Sequence, residues 1–245
     1  MTMIVSAHLG DCLLIASDKR AMICDVETGK LRHFHDEEQK IRRWSLGAIA
    51  GTGESIFLNR VMDYFSNFQV EDQTLRQMDT IYEEIERRLL EGVSKEMLLN
   101  NTLIYSMFDG KQSHLYSIPI ESFFKEFKRN DGEVVIRPTL HEIKHWVVDV
   151  TCFNFPPDMS NLQNFQRNLR PLSSFENELS FLKYYTEQLK QVFAIQASID
   201  PSITTSFDLY IQKCKTGQSL ALHIENPVLP SPIPKELNYW NRDKT

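Results

Sequence analysis

The chain has no apolar run long enough to cross a bilayer. Its longest, such as Leu13-Leu14-Ile15-Ala16, fall far short of the roughly 20 residues a spanning helix needs. It also lacks a basic N-terminal region leading into an apolar one, so neither a membrane span nor a secretory signal is expected, and the expected location is the cytoplasm. Blocks of like charge are absent. Acidic residues number 33 and basic ones 27, and a net charge of −6 spread over both signs provides no footprint for nucleic acid. Cysteine is scarce: Cys12, Cys24, Cys152 and Cys214 stand far apart with no C-x-x-C pair, so a thiol zinc site and a disulfide framework both yield to four reduced thiols. Internal repeats and low-complexity segments are missing too. What is present is 245 residues, 42% hydrophobic, enough to bury an ordinary core in one domain or at most two.

Strand signals come first. Short aliphatic and β-branched runs at Met3 to Ala7 and Cys12 to Ser17 join at Gly10-Asp11 as a hairpin. Ala21 to Val26 and Leu31 to His35 flank the turn Glu27-Thr28-Gly29-Lys30, and Lys40 to Trp44 and Leu46 to Ala50 add two more strands. Helical spacing follows. With Thr52 as N-cap, Phe57, Val61, Tyr64, Phe65 and Phe68 share one face, and Leu75, Met78, Tyr82, Ile85 and Leu89 share another up to Gly92. Strands return at Thr102 to Phe108 and His114 to Ile118 around Asp109-Gly110. Residues 123–170 read as a strand at Glu133 to Arg137, an apolar run at Trp146 to Phe153, and loop composition from Pro156 to Arg170. Phe175, Leu179, Leu182, Leu189, Val192 and Phe193 mark a long helix before strands at Phe207 to Gln212 and Leu220 to Ile224. This order, strands then helices then strands again, suits an α+β fold of two packed sheets with helices outside them, four layers in all. The domain is expected over 2–226, with a Pro-rich arm or disordered tail over 227–245.

Thr2 is the most informative residue. A small residue after Met1 permits removal of that methionine, and an N-terminal threonine is a self-contained nucleophile. Its α-amine, with a reference pKa of about 7.7–8.0, can take the hydroxyl proton without help from histidine. The stretch Thr2-Met3-Ile4-Val5-Ser6, the strand Leu13-Leu14-Ile15-Ala16-Ser17, the run Asp18-Lys19-Arg20-Ala21, and later Gln39-Lys40-Ile41-Arg42-Arg43 and Ala48-Ile49-Ala50-Gly51 together resemble the proteasome β-subunit family of N-terminal nucleophile (Ntn) hydrolases. Within it they are similar to the bacterial members, the Anbu group and the peptidase half of the two-component heat-shock protease. The resemblance implies an αββα sandwich and threonine-type peptidase activity on peptides or unfolded proteins, with no cofactor. It makes Thr2 the nucleophile, Lys40 its activating ammonium, Asp18 the acid that orients Lys40, and the Gly51 N–H a donor to the oxyanion. Asp200-Pro201-Ser202, ahead of Phe207-Asp208-Leu209, resembles the segment that faces the threonine amine, which assigns Asp200 and Ser202 to that side. Two departures stand out: the family's usual glycine near Thr204 is absent, and its Gly-Ser-Gly turn has no counterpart between His114 and Phe175. A catalytically inactive structural subunit is therefore the alternative. A homo-oligomeric ring or spiral is expected, since residues 54–68 and 75–91 carry more apolar side chains than one narrow face needs, and an ATP-dependent unfoldase is a candidate partner.

A different chemistry is written at His141-Glu142-Ile143-Lys144-His145, which fits H-E-x-x-H, the zinc-peptidase pattern in which two histidines one helical turn apart bind the metal and the glutamate activates water. The flank Trp146-Val147-Val148-Asp149-Val150 reads as a strand, and no apolar helical run precedes His141. His33 and His35, beside Asp36, Glu37 and Glu38, read as a solvated hairpin end.

Overall fold

The computed structural model describes residues 2–24, 30–69, 75–128, 134–152, 156–227 and 237–238. Six strands open the chain: β1 (Met3–His8), β2 (Cys12–Asp18), β3 (Ala21–Cys24), β4 (Lys30–His35), β5 (Ile41–Trp44) and β6 (Gly47–Thr52). Three helices follow, α1 (Ser55–Ser66), α2 (Gln77–Leu90) and α3 (Lys95–Leu99), then β7 (Thr102–Phe108) and β8 (Ser113–Pro119). The middle holds the short strands β9 (Glu126–Lys128), β10 (Val134–Ile136) and β11 (His141–Glu142), and then β12 (Val148–Cys152). Helices α4 (Met159–Arg167) and α5 (Glu178–Ile199) precede β13 (Phe207–Lys213) and β14 (Ser219–Ile224), and a two-residue strand, β15 (Leu237–Asn238), pairs with β4.

Two five-stranded antiparallel sheets form the body, ordered β12-β1-β2-β13-β14 and β11-β8-β7-β6-β5. The central strands β1, β2 and β6 are buried at every position because both of their faces are covered. On β1 and β2, Met3, Val5, Ala7, Cys12, Leu14 and Ala16 join one core with Phe181, Tyr185, Leu189 and Phe193 of α5. The alternate residues Ile4, Leu13 and Ile15 join a second core with Ala48 and Ala50 of β6, Ile104 of β7 and Leu115 of β8. A third core sets Ile49, Leu103 and Tyr105 against Phe57, Val61, Phe65, Ile81 and Ile85 of α1 and α2. The molecule is thus a mixed α and β fold with five α-helices among the described residues.

Several elements differ from their sequence expectation. Thr52 does not cap α1: it stays in β6 opposite Thr102, and the cap is Glu54, whose carboxylate accepts the Ile56 and Phe57 N–H groups. On α2 the buried face is Ile81, Glu84, Ile85 and Arg88, while Tyr82 is 42% exposed. Two charged residues enter that face because Arg88 pairs with Glu54 and Glu84 with Arg60. Loop composition at Pro156 to Arg170 hides α4, which Asp158 caps and which Leu162 and Phe165 anchor. The apolar run from Trp146 becomes a strand only at Val148, since Trp146 turns the chain at φ 65°. Helix α3, capped by Ser94, had no sequence signal. Met1, the turn residues Glu27 to Gly29, and 228–236 and 239–245 of the C-terminal arm lie outside the described residues.

Candidate functional site

Antiparallel pairing of β1 with β2 sets Ile4 opposite Ser17, so the start of the chain and the end of β2 lie side by side. Asp18, fully buried at that end, accepts the Met3 N–H on Oδ1 at 2.8 Å and the Arg20 N–H on Oδ2 at 2.9 Å. Lys40 Nζ reaches the same two oxygens at 2.9 and 3.0 Å. The Met3 N–H belongs to the peptide that joins Thr2 to Met3, so Thr2, 4% exposed, is held within one peptide unit of the ion pair. Burial pushes the Lys40 ammonium below its ordinary pKa, and the Asp18 charge and hydrogen bonds oppose that shift.

Lys40 immediately precedes β5, where Ile41 pairs with Ala50, so Gly51 occupies the same end of the β5–β6 ladder as Lys40. Its lack of a side chain has a packing cause here: a Cβ on Gly51 would lie 2.4 Å from Leu58 Cδ2 and 3.1 Å from Leu103 Cδ2. Asp200 closes α5 and accepts the Ser202 N–H at 2.8 Å and the Ser202 hydroxyl at 2.6 Å, both on Oδ1. Its Oδ2 is buried without a hydrogen-bond partner. Burial raises the Asp200 pKa against the opposing hydrogen bonds from Ser202, and the Asp18 charge raises it further.

The fold thus brings Thr2, Asp18 and Lys40 together and sets Gly51 at the same end of the sheets, with Asp200 close enough to Asp18 for their charges to couple. Two further side chains had no sequence signal. Cys152 pairs with Met3 across β12 and β1; burial raises its thiol to about 12, and the charges of Asp200 and Asp18 add to the shift. Thr52, one residue past Gly51, is fully buried with an unpartnered hydroxyl.

The H-E-x-x-H segment does not form the helix its chemistry requires. His141 and Glu142 are strand β11, paired with Ser117 and Tyr116, and His145 lies in the turn that follows. Glu142 takes His114 Nδ1 at 3.0 Å and also pairs with Lys144, whereas the His145 ring packs on His8 at 4.1 Å. Among the described residues no group of three or more His, Cys, Asp or Glu side chains is arranged to hold a metal ion. His33 Nε2 contacts Asp36 Oδ1 at 3.0 Å, as part of a hydrogen-bonded hairpin end. No helix among the described residues is long and apolar enough to cross a membrane.

No protein-family model matches the chain, and no curated protein sequence matches it. Among solved structures it is similar to the Gly-1 mutant of Anbu from Hyphomicrobium sp. strain MC1, with a TM-score of 0.55 and 14% identity over 92% of this chain and 88% of that one. At such low identity the likeness is one of fold alone: this chain is built like Anbu.

Proposed function

We propose that this chain is a threonine-type peptidase of the proteasome-like Ntn class, a four-layer αββα domain over 2–226 whose nucleophile is Thr2 once Met1 is removed. The observation that carries the reading is the buried Asp18–Lys40 pair, tied by the Met3 N–H to the peptide of Thr2. A buried ammonium beside a hydroxyl favours the alkoxide and lowers the proton affinity of a neighbouring amine, and a paired carboxylate keeps that ammonium charged against its desolvation. In the reaction, Thr2 Oγ1 bonds to the scissile carbonyl carbon while the Thr2 α-amine takes the hydroxyl proton. The Gly51 N–H donates to the oxyanion, a type of contact worth about 3–4 kcal/mol. The amine's proton then goes to the leaving nitrogen as the C–N bond breaks, and an ester remains on Thr2. Water, deprotonated by the same amine, cleaves that ester and restores the hydroxyl. Asp200 and Ser202 form the amine side of the site, where the open Asp200 Oδ2 offers an acceptor. Subunits assemble as a homo-oligomer that confines the site and takes peptide or unfolded-protein substrates.

Intact mass comes first, because a retained Met1 turns the amine into an amide without useful basicity. Hydrolysis of peptide substrates by the chain with Thr2 exposed should be insensitive to chelators and should vanish in Thr2→Ala. Lys40→Ala should be inactive and destabilised by about 3–5 kcal/mol, the usual cost of leaving a buried carboxylate unpaired. Lys40→Arg should also fail, since a planar fork does not replace a compact ammonium. Equal hydrolysis with Met1 retained, with Met1 removed and in Lys40→Ala would overturn the mechanism. Assembly without any hydrolysis would leave a structural subunit.

A further inference from the structure

Arg20 is 3% exposed, and each of its three guanidinium nitrogens makes a hydrogen bond. Nε donates to Asp36 Oδ1 at 2.7 Å and Nη2 to Asp36 Oδ2 at 2.8 Å, a fork-on-fork pair, while Nη1 donates to the Pro201 carbonyl at 2.6 Å. Its backbone N–H is the one that binds Asp18 Oδ2. The partners lie on three separate stretches. Asp36 ends the β4 excursion four residues before Lys40, Pro201 sits between Asp200 and Ser202, and Asp18 is two residues before Arg20 itself. His33 Nε2 shares Asp36 Oδ1 with Arg20 Nε, at 3.0 Å. Partial burial works against the ionised Asp36 carboxyl, yet Arg20 and His33 hold its pKa below the usual range, so the pair is charged at neutral pH.

We propose that Arg20 and Asp36 are positioning residues for the site. Their clamp fixes the segment entering Lys40 and the Asp200-Ser202 loop against the end of β2, and thereby sets the Lys40 ammonium on Asp18. The inference rests on the reading of this site as a peptidase centre. A guanidinium suits the task because its donors diverge in one plane, two toward a carboxylate and one toward a carbonyl, whereas an ammonium supplies a single point of charge. Neither residue touches substrate; they act through Asp18, Lys40 and Asp200.

The test compares Arg20→Ala, Arg20→Lys and Asp36→Asn in the chain with Thr2 exposed. Groups that hold a metal's ligands in place change activity by about 10–100-fold when removed, and the same order applies to groups that hold Lys40 in place. A loss of that order is expected in kcat with KM unchanged, with Arg20→Lys only partly restored and methylguanidinium returning activity to Arg20→Ala. Rescue by the free guanidinium is a readout that general destabilisation would not produce. A second arm is independent of turnover: amine labelling of Lys40, read by mass spectrometry, should be slow in the wild type, fast in Arg20→Ala and slow again with methylguanidinium. If the wild type hydrolyses nothing, the peptidase reading fails and the labelling arm still decides the clamp. Should Arg20→Ala fail to fold, Asp36→Asn, at a position 36% exposed, carries both arms. Unchanged kcat and unchanged Lys40 protection in a folded variant would overturn the proposal.

Discussion

Asp18 and Lys40 stand 22 residues apart and could be named in advance only through a resemblance, because an isolated Asp and Lys in sequence are more often an exposed pair. Arg20, Asp36 and Cys152 appear in the sequence with no sign of a place at the site, since their partners are set by how strands distant in the chain converge. His8 is another such case. It is buried at the end of β1, accepts the Gly10 N–H on Nδ1 at 3.2 Å, and packs on His145. Gly10 adopts φ 87° there, with the Trp146 ring 3.0 Å from where a Cβ would be. Burial, and then the His145 charge, lower the His8 pKa from 6.5 to about 4, with Glu142 and Asp11 pulling the other way and His114 adding to the fall. A value lowered on folding means stability that is whole above pH 6.5 and lost as pH falls toward 4. Urea unfolding should show a loss of roughly 2–3 kcal/mol across that window from this group. His8→Asn keeps an acceptor for Gly10 but does not titrate, so its acid sensitivity should be smaller by that amount. An identical pH profile in the variant would place the loss on other groups.

At the scale of elements, helix periodicity located α1, α2 and α5 but not which of their residues are covered. In α5, Phe181, Tyr185, Leu189, Val192 and Phe193 are buried, whereas Leu179, which fits the same stripe in sequence, is 60% exposed because it sits in the first turn, ahead of the sheet contact. Leu189→Ala should therefore cost about 2–5 kcal/mol in denaturant unfolding. Leu179→Ala should stay within about 0.5 kcal/mol. Comparable losses at the two positions would mean that α5 does not pack as described. Helix α4 escaped notice for a compositional reason: its sequence from Met159 to Arg167 is dominated by Ser, Asn, Gln and Arg, and only Leu162 and Phe165 are buried.

For the whole molecule, the outer surfaces of α1 and α2 expose Ile56 at 45%, Tyr82 at 42% and Leu90 at 88%, apolar side chains that the fold itself does not cover. If they are covered by assembly, light scattering should find an oligomer that Tyr82→Glu combined with Leu90→Glu dissociates while leaving the circular dichroism spectrum intact. A monomer of 28.6 kDa at every concentration would refute assembly. The sequence by itself determined β1 and β2 with their Gly10-Asp11 turn, the helices α1, α2 and α5, and the strand pairs β7–β8 and β13–β14, because hydrophobic period and turn residues act within a few positions. Through its resemblance it also pointed to Thr2, Asp18, Lys40, Gly51, Asp200 and Ser202. Tertiary structure alone decided that Arg20 bridges Asp36 and Pro201, that Gly51 is bare to admit Leu58, and that His141 and His145 fall on a strand and a turn rather than one helical face. Each of those depends on contacts between residues distant in the chain, whose energies exist only once the sheets have paired and the cores on either side have closed.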